Sequence, residues 1–253
     1  MRRILTALAL IPIVVYVVIW ANYWVFVGVV ALVACLCYRE YNDIAAAHGF
    51  GAPGPLGYLF GVSFLLWPYW PLLLASALLA FTVSMRREDL SKALPNSALL
   101  VTGIVYVFGC WACAGPLRAA SPHWLMYTLL LNWAGDSGAY FVGRRFGKHK
   151  MAPRVSPKKS WEGAAASVVT SVGIAGWYLA HFIPGVPVLN AVLLTAAANV
   201  VGQVGDLAES AIKRGAGVKD SSSILPGHGG FLDRVDSTLF ALPLIYAYVR
   251  WTL

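Results

Sequence analysis

Charge is what this sequence has least of. Only 12% of its 253 residues are charged, eleven of them acidic, whereas 59% are hydrophobic and the mean hydropathy is +0.68. A water-soluble domain needs far more polar surface to cover its core, which excludes an ordinary soluble protein. Nucleic-acid binding is excluded with it, despite a net charge of +8, because no soluble domain remains to hold a duplex. Cysteine is scarce. Cys35 and Cys37 ("CLC") and Cys110 and Cys113 ("CWAC") have metal-like spacing, but no second pair or histidine cluster accompanies them, so they read as buried thiols packing as small hydrophobes. No internal repeat, low-complexity tract, Walker phosphate loop, HExxH helix or Ser-His-Asp arrangement stands out.

What the chain has in quantity is apolar runs. A bilayer-spanning helix needs about 20 mostly apolar residues. Such runs lie near 4–21, 24–38, 56–67, 70–85, 97–114, 122–140, 161–181, 187–205 and 237–252, with "WPYWP" as an interfacial hairpin between the third and fourth. They predict an all-α polytopic membrane protein of about nine transmembrane helices. No small-residue cleavage site follows the first run and the second begins almost at once, so the first reads as a span rather than a leader. With a cytoplasmic N-terminus, every Lys and Arg except Arg118 and Arg250 falls on the cytoplasmic side. That bias and attraction to anionic headgroups account for much of the positive charge. Acids contribute little to topology, yet all eleven also fall on that side or in span ends facing it. The chemistry is therefore expected at the cytoplasmic face of an inner (plasma) membrane. Composition assigns 1–121 to a transmembrane scaffold, in which Glu40 and Glu88 read as solvated loop charges, and 122–253 to a catalytic region.

Two polar stretches interrupt the catalytic region. The first is "NWAGDSGAYFVGRRFGKHKMAPRVSPKKSWEG". Asp136 lies near the end of an apolar segment, where an unpaired carboxylate is expensive; either Tyr140, Arg144 or Arg145 satisfies it, or it is a functional acid. Ser160 is placed to cap the next helix and Glu162 suits its first turn. Backbone N–H groups at that helix start, with Lys158 and Lys159, would converge on a phosphate.

The second stretch begins "GQVGDLAESAIKRGAGVKD". Asp206, Glu209 and Ser210 share one helical face at a helix end whose dipole disfavours negative charge. Lys213 at i+4 explains Glu209 as a surface ion pair, while Asp206, one turn deeper, asks for a divalent cation. In "KDSSSILPGHGGFLDRVDS", Asp233 and Asp236 stand at the start of the last helix, either as helix-start acids or as metal ligands. The glycines, Gly229 and Gly230 among them, allow close backbone approach to a phosphate. Carboxylates at 136, 206, 209, 220, 233 and 236, interleaved with Lys158, Lys159, Lys213, Arg214 and Lys219, supply what magnesium-assisted phosphoryl or nucleotidyl transfer requires.

At residues 210–236, "SAIKRGAGVKDSSSILPGHGGFLDRVD", the chain resembles the signature of the CDP-diglyceride synthetases, or phosphatidate cytidylyltransferases. Every fixed position of that pattern is met, by Ser210, Lys213, Arg214, Lys219, Asp220, Pro226, His228, Gly229, Gly230, Asp233, Arg234 and Asp236. The first polar stretch resembles the family as well. The resemblance covers 132–253 strongly and the N-terminal half only as a bundle of apolar spans.

The resemblance implies transfer of CMP from CTP to phosphatidic acid, giving CDP-diacylglycerol and pyrophosphate in phospholipid biosynthesis, with Mg2+ and room for a second cation. Asp206, Asp233 and Asp236 are then the first metal ligands, followed by Asp136 and Asp220. Lys158, Lys159, Lys213, Arg214 and Lys219 would neutralise the phosphates, with Ser210, Gly229 and Gly230 at the substrate. His228 would orient a phosphate or assist proton removal. The implied partners are CTP, phosphatidic acid and membrane lipids, and a homodimer is compatible. Two alternatives remain: a CTP-dependent transferase or kinase acting on another membrane lipid, and a non-enzymatic transporter or scaffold.

Overall fold

A computed structural model describes residues 2–51, 54–86, 89–225 and 229–252. Glu88 and His228 lie outside the described residues. Helices occur at every position where the sequence predicts one: α1 Arg2–Ile19, α2 Tyr23–Ala47, α3 Gly54–Leu66, α4 Trp70–Ser84, α5 Leu90–Ala120, α6 Pro122–Phe146, α7 Trp161–Phe182, α8 Val188–Gly215 and α9 Leu232–Thr252. Asn22, Asp89, Ser121 and Ser160 cap α2, α5, α6 and α7, each accepting a bond from a backbone N–H of the first turn. Single π-helical turns at Ile104–Gly109 and Val172–Gly176 interrupt α5 and α7. Trp67, Tyr69 and Trp70 stand exposed at the α3–α4 turn, where the sequence places its hairpin.

Among the described residues four helices are long and apolar enough to cross a membrane: α2, α5, α7 and α8. Helices α3 and α4 are apolar but shorter. Helix α3 has 13 residues, which at 1.5 Å each gives about 20 Å against a hydrocarbon core of about 30 Å. Helices α6 and α9 carry charge within their lengths, Asp136, Arg144 and Arg145 in one and Asp233, Arg234, Asp236 and Arg250 in the other.

Backbone contacts divide the chain into two units. The first comprises 1–11, 21–113 and 212–234, so the signature loop groups with the N-terminal helices. Its core is aromatic. A side chain at Gly57 or Gly61 would collide with Tyr38 or Phe108, and one at Gly103 with Tyr38 and Tyr41, so these glycines admit the rings. The Tyr41 hydroxyl donates to the Leu99 carbonyl at 3.0 Å.

The second unit comprises 12–20, 114–211 and 235–253. Gly135 and Gly138 of α6 leave no room for a Cβ against Ser167, Ser171 and Thr170 of α7 and Asn199 of α8. Small residues at such a contact let helix backbones approach closely, and polar side chains bond across it. Asn199 Nδ2 donates to Ser167 Oγ (3.0 Å) and Ser171 Oγ (2.9 Å), and Ser171 Oγ donates to the Leu131 carbonyl (2.7 Å). One turn further along α8, Gln203 Nε2 donates to Asn199 Oδ1 at 2.6 Å. This ladder fixes the faces on which Asp136 and Asp206 stand.

Candidate active site

In the second unit the polar stretch after α6 folds into a hairpin, β1 Lys150–Ala152 antiparallel to β2 Ser156–Ser160. Ser160 ends the hairpin and caps α7, its Oγ accepting from Gly163 N at 3.2 Å, as its position in the sequence predicts. Glu162, in the first turn of α7, meets His149 Nδ1 at 2.6 Å and so ties the hairpin's entry to its exit. The hairpin therefore sits at a helix N-terminus, where unsatisfied backbone N–H groups and the dipole favour anions.

A cavity of about 620 Å³ opens there. Asp136, Tyr140 and Arg144 of α6 line it, with Lys150, Lys158, Lys159 and Ser160 of the hairpin, Ser167 of α7, and Gln203 and Asp206 of α8. Four cationic side chains and two carboxylates thus share one recess. Lys159 Nζ lies 2.6 Å from Asp206 Oδ2, and Ser210 Oγ donates to Asp206 Oδ1 at 3.3 Å. The local helix pattern left Asp206 without a cation; a lysine from the hairpin, 47 residues upstream, supplies one. The Tyr140 hydroxyl accepts from Arg144 at 2.8 Å. Asp236 and Glu209, in the same unit, are both buried.

The signature loop belongs to the first unit. Lys213 is paired there with Asp233, both side chains almost fully buried. The loop folds back and brings in an acid twenty residues on, which helical spacing does not reveal. Asp233 also accepts from Ser221 N (2.9 Å) and Gly230 N (2.8 Å), and shares the single Ser221 hydroxyl proton, at 3.0 Å, with Glu40. Gly229 has φ +79°, a conformation that other residues rarely adopt, and its carbonyl accepts from Leu225 N at 2.9 Å. Arg214 donates to the Val218 carbonyl at 2.9 Å. Lys219 and Asp220 are exposed.

Glu40 corrects the sequence reading. It is not a solvated loop charge: α2 continues to Ala47, and Glu40 is fully buried, bonded to the signature loop. The available signal was the stripe Ala34, Cys37, Tyr41, Ile44, a helical apolar face that Glu40 continues and that runs past the end of the expected span.

The structure thus gathers Asp136, Lys158, Lys159 and Asp206 around one cavity, and Lys213, Asp220, Gly229, Gly230 and Asp233 in one loop. Among the described residues no three His, Cys, Asp or Glu side chains form a group that could hold a metal ion.

A family model for the cytidylyltransferases matches residues 1–252, almost the whole chain. The chain belongs to that family. Among similar cytidylyltransferases, a Haemophilus influenzae protein is 43% identical over 145 residues, 51% of this chain and 50% of its own. A Bacillus subtilis protein is 47% identical over 124 residues, covering 49% and 46% respectively. One from Staphylococcus haemolyticus is 38% identical over 174 residues, covering 66% and 64%. All three carry the name phosphatidate cytidylyltransferase. The chain spans about half the length of the first two and 64% of the third.

Proposed function

We propose that this cytidylyltransferase is a membrane enzyme that transfers CMP from CTP to phosphatidic acid, giving CDP-diacylglycerol and pyrophosphate. The observation that carries the reading is the cavity at the start of α7, where Arg144, Lys150, Lys158 and Lys159 meet Asp136 and Asp206 in a unit of apolar helices. A phosphate monoester at headgroup level suits such a recess. Its cations offset the phosphate charge, and the apolar helices beyond would take the acyl chains.

In the reaction a phosphatidate oxygen attacks the α-phosphorus of CTP. The new O–P bond forms as the bond to the bridging oxygen breaks, and pyrophosphate leaves with that electron pair. The attacking oxygen is already anionic, so no strong base is required of the protein. What the chain's residues supply is position and charge. Lys158 and Lys159 are assigned to the lipid phosphate, and Lys219 and Arg214 of the signature loop to the triphosphate.

Magnesium fits the donor set, since this ion takes one or two carboxylates together with phosphate oxygens rather than an all-protein cage. Asp206 would hold it, with Asp136 lining the same cavity, and the ion would offset charge on the phosphates. The charge it brings is the kind that Lys159 supplies to Asp206 and that Lys213 supplies to Asp233 in the first unit.

The direct test is purified protein with CTP, magnesium and phosphatidate, followed by lipid analysis. CDP-diacylglycerol and stoichiometric pyrophosphate are expected. Equal or better turnover of a polyprenyl phosphate would move the assignment to another lipid, and no pyrophosphate release would remove the enzyme reading.

The same proposal places nine spans in a bacterial inner membrane, with the N-terminus and both polar stretches in the cytoplasm. Cysteines introduced at exposed positions, Lys150→Cys and Ser223→Cys, should resist an impermeant maleimide added outside intact cells and react after permeabilisation. Ready labelling from outside would overturn the topology.

A further inference from the structure

Glu40 stands on the buried face of α2 with no exposed surface. Each carboxylate oxygen accepts two hydrogen bonds. Oε1 takes Ser222 Oγ at 2.6 Å and Phe231 N at 3.0 Å; Oε2 takes Ser221 Oγ at 2.9 Å and Leu232 N at 2.7 Å. All four donors are neutral, and they come from two separate runs of the signature loop, 221–222 and 231–232. The backbone donors open α9, where N–H groups have no partner within the helix and the dipole is positive. A carboxylate of α2 thus caps a helix from outside it.

Gly230 is matched to this arrangement. A Cβ at that position would fall on Ser221 Oγ and on both oxygens of Glu40. Asp233 holds Ser221 and Gly230 from within the loop. The loop is therefore fixed by two acids, one its own and one nearly two hundred residues away. A buried charge is a costly way to attach two segments, and apolar packing would do so at less cost. Directed bonds to four named donors accomplish what packing does not: they set the separation of the two runs.

We infer that Glu40 is a positioning residue for the signature loop, holding Lys219, Asp220 and the Gly229–Gly230 turn in the shape that receives the nucleotide triphosphate. The catalytic part of this inference rests on the proposed transferase reading; the structural part does not.

The test uses the full chain in detergent micelles, with Glu40→Gln and Ser222→Ala as variants. Glutamine keeps the volume and one acceptor oxygen, but turns an NH2 group toward a backbone N–H and leaves that donor unmet. Two measurements are made: amide hydrogen exchange across residues 219–233, and kinetics with each substrate varied. In Glu40→Gln the Phe231 and Leu232 amides should exchange at least ten-fold faster while α5, α7 and α8 exchange as in the wild type. Its kcat/KM for CTP should fall ten-fold or more, with the KM for phosphatidate within two-fold of wild type. Ser222→Ala, which removes one donor, should have a smaller effect of the same kind. Adding it to Glu40→Gln should cost less than it does alone, because the shared contact has already gone. Wild-type exchange at 231–232 in Glu40→Gln would overturn the inference. So would faster exchange throughout the helices, or an equal rise in the KM for phosphatidate. A wild-type protein inactive with CTP and phosphatidate would remove the transferase reading and leave hydrogen exchange to decide the role of Glu40.

Discussion

Asp206→Asn should abolish turnover while leaving the protein in the membrane. The substitution preserves the shape of the side chain and removes its charge. In the folded chain that charge faces Lys159 at 2.6 Å inside the cavity. Asparagine would leave the ammonium without its acid and the proposed cation without its carboxylate. A loss of roughly 100-fold or more is expected, since even groups that only orient metal ligands cost 10–100-fold when removed. The fold should survive, because α8 is held to α7 by the bonds from Asn199 to Ser167 and Ser171 and from Gln203 Nε2 to the Ala164 carbonyl, which do not involve Asp206. The measurement is initial rate in membranes matched for protein content. Wild-type turnover would take Asp206 out of the site.

Neutralising the two hairpin lysines should separate their roles. Both line the cavity, but Lys158 is exposed while Lys159 is drawn to Asp206. Lys158→Met should raise the apparent requirement for phosphatidate about ten-fold, the loss of one charge-assisted phosphate contact of ~1.5–3 kcal/mol, with little change in kcat. Lys159→Met should lower kcat as well, because it also strips Asp206 of its counter-charge. Lys219→Met, in the signature loop, should instead raise the requirement for CTP. Rates with each substrate varied at saturating levels of the other decide the matter. If all three variants shift CTP dependence equally, the lipid assignment of the hairpin is wrong and its lysines serve the triphosphate.

Local chemistry was legible in the sequence, and pairing across distance was not. The Ser160 cap, the Glu162 first turn and the i,i+4 bond from Ser210 to Asp206 all follow from spacing within one helix or its start, where 3.6-residue geometry dictates who meets whom. Helix positions followed from apolar runs for the same reason. The partners of Asp206, Lys213 and Glu40 lie 47 residues upstream, 20 downstream and more than 180 downstream. Nothing in hydropathy or periodicity encodes those meetings. The reading of Glu40 as a solvated charge failed because the expected span stopped at 38 where apolar residues thin out. The helix runs on to Ala47 with its inward face kept by Tyr41 and Ile44.

The separation of Glu40 from its partners, 181 to 192 residues, also fixes an order of events during synthesis. At about 5–20 residues per second, roughly 10–40 s pass between the emergence of α2 and that of residues 221–232. Throughout that interval the carboxylate has none of the four donors it will hold. It must stay hydrated at the membrane surface while the intervening helices insert. The signature loop cannot close until the start of α9 has been made. A chain truncated after Gly230 would carry most of the loop but neither of the 231–232 donors, leaving Glu40 reactive toward a water-soluble carbodiimide.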